Sequence, residues 1–186
     1  MIIVALLMIK LQLMNRGEAV IKNFSLIGMP GCGKTTIGKI LSQKLGMDFI
    51  DLDEFIQLKI GLSISNIFDI YGEKFFRNIE SECLKEVLEK EGQIIATGGG
   101  IVTVEKNIEI LRNRSIVFYI KRNIEDILKN VDLENRPLLR DNKNKIYELY
   151  NQRYKLYEKC AHYVVDNKLI DEVVKSIINI IKNQEV

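Results

Sequence analysis

Strand-like and helical segments alternate along the chain from Asn23 onward, and that alternation predicts an α/β fold built on a parallel sheet. Three observations carry the reading. Short apolar runs such as Asn23–Ile27, Gln93–Ala96 and Ser115–Ile120 have the length of buried strands. Longer stretches between them place apolar residues three and four apart, the spacing of helices with one buried face. The two prolines, Pro30 and Pro137, both fall where the pattern reads as loop. Five strands joined by helices make a three-layer α/β/α sandwich.

Each element follows in order. Asn23–Ile27 is a short buried strand, and Lys34–Leu45 is the helix after it. Asp48–Leu52 is a second strand. Ser63–Tyr71 and Glu73–Glu91 are helices; in the latter Phe76, Ile79, Cys83 and Val87 form one row, with Leu84 and Leu88 beside it. Gln93–Ala96 is a strand, Ile108–Arg112 is helical, and Ser115–Ile120 is a strong β run. Ile124–Asn130 and Ile146–Cys160 are helices, Tyr163–Asp166 is the last strand, and Ile170–Lys182 closes the chain as a helix. Between them Glu134–Lys145 (ENRPLLRDNKNK) is a long polar connection. Its arginines around a proline predict a mobile lid over about residues 131–145.

Length and composition bound the chemistry. A chain of 186 residues suits one domain, here residues 21–186. Lys plus Arg is 27 and Asp plus Glu is 25, a net charge of +2 that gives no bulk attraction for nucleic acid or an anionic membrane. Any anion must therefore be caught by a local arrangement. His162 is the only histidine, which excludes a His-rich zinc site and leaves neutral-pH proton transfer to a carboxylate. Cys32, Cys83 and Cys160, odd in number and widely spaced, read as small apolar filler in a reducing cytoplasm.

The first 20 residues stand apart. Their apolar run is cut by Lys10, well short of the ~20 residues a membrane span needs, and no clear signal-peptide pattern surrounds it. Three readings stay open for residues 1–20: an extra strand, a disordered extension, or a true translation start near Met14 or Val20. The last rests on Arg16-Gly17-Glu18, which a purine-rich tract of the ribosome-positioning kind can encode.

The strongest motif is Gly28-Met-Pro-Gly-Cys-Gly-Lys-Thr35, which fits G-x-x-x-x-G-K-[ST] in full and sits between a strand and a helix, where that motif must sit. Glycines let successive backbone N–H groups converge on phosphate oxygens, and the helix N-terminus adds positive potential. Gly31, Cys32, Gly33 and Thr36 belong to this cradle, Lys34 reaches the β and γ phosphates, and the Thr35 hydroxyl ligates Mg²⁺. The chain thus binds a nucleoside triphosphate. Asp51 and Asp53, in Phe49-Ile-Asp-Leu-Asp, alternate on a strand and so face the same way at the C-terminal sheet edge, where ligands of open α/β sheets bind. One carboxylate there can hold a magnesium-bound water while the other accepts a proton from a hydroxyl; the plainer alternative is a helix cap at Asp53 with a solvated loop charge at Asp51. Gly98-Gly99-Gly100 offers close backbone approach to something bulky, or is simply a tight turn. Arg77 and Arg153 each lie on the apolar flank of a helix. They either reach a buried anion or lay their stems on the core and carry their heads to water.

Taken together, the segments GMPGCGKTTIGK, DLDEFI, GLSISNIFDIYGEKFFRNIE, ATGGGIV, ENRPLL and QRYKLYEKCAHYVVD resemble the shikimate kinase family from about Lys22 to the C-terminus. The combination of DxD, GExxFRxxE and GGG carries the resemblance, since the phosphate loop alone is shared by many ATPases. The resemblance implies a P-loop kinase fold with strand order 2-3-1-4-5 and transfer of phosphate from ATP to shikimate, giving 3-phosphoshikimate on the route to chorismate and the aromatic amino acids. It further implies that Lys34, Asp53 and Arg136 are catalytic, with Asp53 holding the substrate hydroxyls and assisting deprotonation. Arg77 and Arg153 would bind the carboxylate, and Gly98, Gly99 and Gly100 would approach the ring. Arg136 would close on the phosphates, and Asp51 would support Mg²⁺ beside Thr35. Lys129 stands where the family often carries an adenine-stacking arginine, and Asn167 and Lys168 fall on the adenine side. The expected partners are ATP and shikimate, with no nucleic acid or membrane, for a monomer in the cytoplasm. A gluconate-kinase-like enzyme and a nucleotide-dependent switch are the rival readings.

Overall fold

A computed structural model describes residues 22–130 and 144–184. Residues 1–21, most of the expected lid including Arg136 and Arg140, and the last two residues lie outside that description. The elements run β1 (Asn23–Ile27), α1 (Lys34–Leu45), β2 (Asp48–Asp51), α2 (Leu52–Ile60), α3 (Ile64–Val87), β3 (Gln93–Ala96), a 3₁₀ turn (Ile101–Thr103), α4 (Glu105–Arg114), β4 (Ser115–Lys121), α5 (Ile124–Asn130), α6 (Asn144–Cys160), β5 (Tyr163–Asp166) and α7 (Ile170–Gln184).

All five strands form one sheet in the order β2-β3-β1-β4-β5, with every neighbouring pair parallel. β1 is central, so Leu26 pairs with Ala96 on one side and Phe118 on the other, and all three are buried. Helices α1 and α7 pack on each other across one face, while α3, α4 and α6 share the other. Parallel strands need such crossovers, and the right-handed rule for them puts successive helices on the face their strand order dictates. The backbone at the C-terminal ends of β1 and β3 is consequently left open for loops that carry function.

Two local departures matter for the site. Asp48–Leu52 was expected to be all strand, but the strand ends at Asp51, which becomes the N-cap of α2. Its carboxylate accepts from the backbone N–H of Asp53 at 3.1 Å and of Glu54 at 3.4 Å. Asp53 therefore sits in a helical first turn, and strand alternation does not explain its direction. Gly72 takes the non-helical φ 79 and ψ 169, so α3 is two helices meeting at a kink there, as expected for Ser63–Tyr71 and the helix that starts at Glu73. α6 starts at Asn144, so the last two residues of the expected lid are helical. Cys32, Cys83 and Cys160 are buried free thiols, as expected of apolar filler.

The sheet's opposite edge holds a titratable contact. His162 is exposed at the surface, yet its Nδ1 accepts from the Val117 N–H at 3.0 Å while its own N–H donates to the Val117 carbonyl at 2.8 Å. Partial burial, Arg112 and Lys22 hold the imidazole below its ordinary value of 6.5. Between the lowered folded value and 6.5 the unfolded chain binds the extra proton, so this contribution to stability is complete above 6.5 and lost as pH falls. His162→Asn keeps an acceptor oxygen near the Nδ1 position without titrating there. Thermal unfolding from pH 7 to pH 5 should show the wild type losing more Tm than the variant; parallel losses would remove His162 as the cause.

Candidate functional site

The phosphate loop leaves β1 at Ile27 and enters α1 at Lys34. Gly28 adopts φ 143, and a Cβ there would stand 2.6 Å from the Ile120 carbonyl oxygen, so both conformation and space require glycine. Lys34 is buried, and its ammonium donates to the Gly28 and Met29 carbonyls at 2.9 Å each. Asn167, after β5, donates from Nδ2 to the Cys32 carbonyl at 2.7 Å, which joins the expected adenine-side loop to the phosphate loop. Gly31, Cys32 and Gly33 form the turn itself. Thr36, beside Thr35, is exposed in the first turn of α1.

At the foot of the loop the Thr35 hydroxyl donates to Asp51 Oδ2 at 2.7 Å. A hydroxyl and a carboxylate brought together next to a phosphate cradle are hard oxygen donors of the kind Mg²⁺ takes, with waters and phosphates completing its shell. The residues present fit that ion. Among the described residues no group of three or more His, Cys, Asp or Glu side chains forms a separate metal cluster.

The glycine triplet after β3 brings the remaining candidates together. A Cβ at Gly98 would stand 2.7 Å from Asp53 Oδ1 and 2.8 Å from Glu80 Oε1. One at Gly99 would press on Pro30 of the phosphate loop at 2.6 Å, and one at Gly100 would overlap the Arg77 guanidinium. The Gly99 carbonyl accepts from Arg153 Nη1 at 3.3 Å and from the Tyr157 hydroxyl at 2.5 Å. Asp53, Arg77 and Arg153, from three different helices, thus converge on one three-residue turn beside the phosphate loop. Neither arginine carries its head to open water: Arg153 is buried, its Nε without a partner among the described residues, and the Arg77 side chain is 11% exposed.

Lys129 is the exception. It lies on α5, exposed, and its ammonium pairs with Asp126 of the same helix at 3.1 Å.

The chain is similar to proteins of one family. The family model described as shikimate kinase matches residues 30–182. A shikimate kinase of Clostridium botulinum is 46% identical over 159 residues, covering 85% of this chain and 96% of its own length. One from Dictyoglomus turgidum is 44% identical over 163 residues, covering 84% and 95%. Among solved structures, the Acinetobacter baumannii shikimate kinase in complex with shikimate superposes with a TM-score of 0.85 at 34% identity, over 89% of this chain and 96% of that one. The Aquifex aeolicus shikimate kinase gives 0.78 at 37%, over 88% and 98%. The chain belongs to the shikimate kinase family.

Two residues of the candidate site in this shikimate kinase family member were not singled out from the sequence. Glu80 was quoted only as the end of GEKFFRNIE, and Tyr157 only inside QRYKLYEKC. Glu80 is fully buried, pairs with Arg77 Nη1 at 2.7 Å and leaves its Oε1 unpartnered. The signal for it was available: Glu73 lies four residues before Arg77 and Glu80 three after, so each is about one helical turn away on the same face. Arg77 donates to Glu73 as well, at 3.0 Å and 3.2 Å, so its fork is held from both sides.

Burial pushes the Glu80 carboxyl up to about 7, against the pull of the Arg77 guanidinium and with a smaller push from Asp53. Unfolded, the same group titrates near 4.5. Between those values the folded chain keeps a proton that the unfolded chain has released, so the contribution to stability is complete below the lower value and lost as pH rises through the upper one. Glu80→Gln stays neutral throughout. Its overall stability will differ, but its Tm should decline less than the wild type's between pH 5 and pH 8. An identical pH slope in the two proteins would contradict the raised value.

Proposed function

We propose that this chain phosphorylates shikimate with ATP, giving 3-phosphoshikimate and ADP, with the residues around Gly98–Gly100 holding the acceptor. It is an enzyme of the route to chorismate and the aromatic amino acids. The observation that carries the reading is the convergence of Asp53, Arg77 and Arg153 on a side-chain-free turn that presses against the phosphate loop. A cyclohexene with one carboxylate and three hydroxyls needs guanidinium forks at one end and a carboxylate acceptor at the other, and those are the groups assembled here.

Each residue has a part. The backbone N–H groups of Gly31 to Thr36 and the α1 N-terminus cradle the phosphates, and Lys34 adds charge at the β and γ positions. Thr35 and Asp51 are the residues that would hold Mg²⁺, which when bound neutralises charge on the transferring group. Arg77 and Arg153 grip the carboxylate, and the backbone of Gly98, Gly99 and Gly100 lets the ring approach. Asp53 accepts the proton of the attacked hydroxyl. Arg136, carried over from the ENRPLL motif, closes on the phosphates, and Lys129 offers the adenine side a point charge without a stacking plane. Phosphoryl transfer asks mainly for positioning and charge neutralisation, and this set supplies both.

The same reading takes residues 21–186 as the catalytic domain, working as a monomer in the cytoplasm. No described helix is long and apolar enough to cross a membrane. A coupled ADP-release assay run in parallel with shikimate and gluconate tests the function. Turnover with shikimate and only background with gluconate is expected; a preference for gluconate, or none, would reject it.

Asp53→Asn tests the chemistry. The amide accepts a hydrogen bond but cannot usefully take a proton. Turnover should fall by about 10²–10⁴-fold, the span of general-base loss. Shikimate binding should weaken, and ATP binding, measured in a separate titration, should hold. A variant keeping more than about half its turnover would reduce Asp53 to a structural residue.

A further inference from the structure

The buried tyrosine of α6 does more than fill space. Tyr157 is fully buried, its ring stacked on Tyr119 of β4 with centroids 5.0 Å apart. Burial raises its hydroxyl far above the ordinary phenol range, so it stays a donor at any working pH. That donor has one well-placed acceptor, the Gly99 carbonyl at 2.5 Å, with the Met29 sulfur at 3.8 Å behind it. Met29 and Pro30 belong to the phosphate loop, and Gly99 lies flat against Pro30. Arg153, one helical turn before Tyr157, reaches the same carbonyl at 3.3 Å.

We propose that Tyr157 is a positioning residue for phosphoryl transfer: its hydroxyl fixes the Gly99 carbonyl, and so sets where the acceptor turn and Arg153 meet the substrate. A peptide unit has one plane. The Gly99 C=O and the Gly100 N–H share one trans peptide plane and point opposite ways, so holding the C=O toward α6 also fixes the direction of the Gly100 N–H. Without the phenol, the carbonyl keeps only the longer contact to Arg153. That guanidinium is then the carbonyl's sole described partner as well as the group that grips the acceptor's carboxylate. The ATP side is held by other bonds: Lys34 donates to the Gly28 and Met29 carbonyls of its own loop, and the Thr35 hydroxyl donates to Asp51.

The inference rests on the proposed reading of the acceptor site, and Tyr157→Phe separates it from that reading. Phenylalanine keeps the ring stack on Tyr119 and deletes one oxygen. The two specificity constants, kcat/KM for shikimate at saturating ATP and for ATP at saturating shikimate, are the readout. For the variant, the shikimate constant should fall roughly three- to tenfold, the scale of one lost neutral hydrogen bond, with the ATP constant within about twofold of wild type. No loss in either constant, or an equal loss in both, would overturn the role, since a merely structural tyrosine has no reason to favour one substrate. Tm measured on the same samples reports whether the fold survives. Should it fall steeply, the two constants measured at a temperature below the variant's unfolding transition must show the same shikimate-selective loss or the proposal fails. A wild type inactive with shikimate would instead strike at the functional reading itself.

Discussion

The close approach of three backbone units to their neighbours at Gly98–Gly100 is the constraint on which the rest of the site depends. Each glycine yields its Cβ position to a different neighbour: Asp53 and Glu80 at the first, Pro30 at the second, Arg77 at the third. A methyl group at Gly98 or Gly99 would need atoms under 3 Å apart, nearer than van der Waals contact allows. The turn can be this tight because β3 delivers it rigidly, buried between β1 and β2, with Thr97 anchored to the Leu26 carbonyl through both its N–H and its hydroxyl at 3.1 Å. The parallel sheet thereby fixes the distance between the phosphate loop, which follows β1, and the acceptor turn, which follows the adjacent strand. In-line transfer between two bound molecules requires that distance to be constant.

The chain carries almost no net charge to spend on attracting two anions, so charge has to be concentrated locally. It does this by burial. Lys34, Arg77 and Arg153 are all largely withdrawn from water, where screening is weak and each guanidinium or ammonium acts at nearly its full strength. Burial of a cation is costly unless it is paired, and the pairing differs at each site. Lys34 uses backbone carbonyls, Arg77 uses Glu73 and Glu80, and Arg153 uses one carbonyl while its Nε has no partner among the described residues.

Much of this was legible in the sequence. Strand–helix alternation gives the layers, and the P-loop spacing places the nucleotide at the end of β1. The apolar flanks of the helices carrying Arg77 and Arg153 left open whether the heads turn inward or reach water, and the structure turns both inward. Three things were not legible, each for a physical reason. The change from strand to helix at Asp51 depends on one carboxylate bonding two backbone N–H groups, a local event that apolar periodicity does not register. The helix Leu52–Ile60 was missed because Asp53 and its neighbours were read as the end of the strand. Tyr157 was invisible because its partner, the carbonyl of Gly99, is a backbone atom 58 residues away.

The pairing of Arg77 explains why the acceptor site needs acids as well as bases. A free guanidinium would bind a carboxylate strongly but would first have to be ordered, and that entropy would be lost on every binding event. Glu73 and Glu80 hold the fork in place beforehand, so the ordering cost is met once, when the chain folds. The acids must not compete too well with the incoming carboxylate, however. Glu80 meets both conditions: it bonds Arg77 through Oε2 alone, and burial pushes its carboxyl toward the neutral form, in which its hold on the arginine weakens. A carboxylate fully exposed to water at the same position would stay charged and mobile, and would neither orient the fork nor yield it. In the proposed acceptor site Glu80 thus serves by holding the Arg77 fork from beneath the glycine turn, dry, with its other oxygen facing Gly98 and without a partner among the described residues.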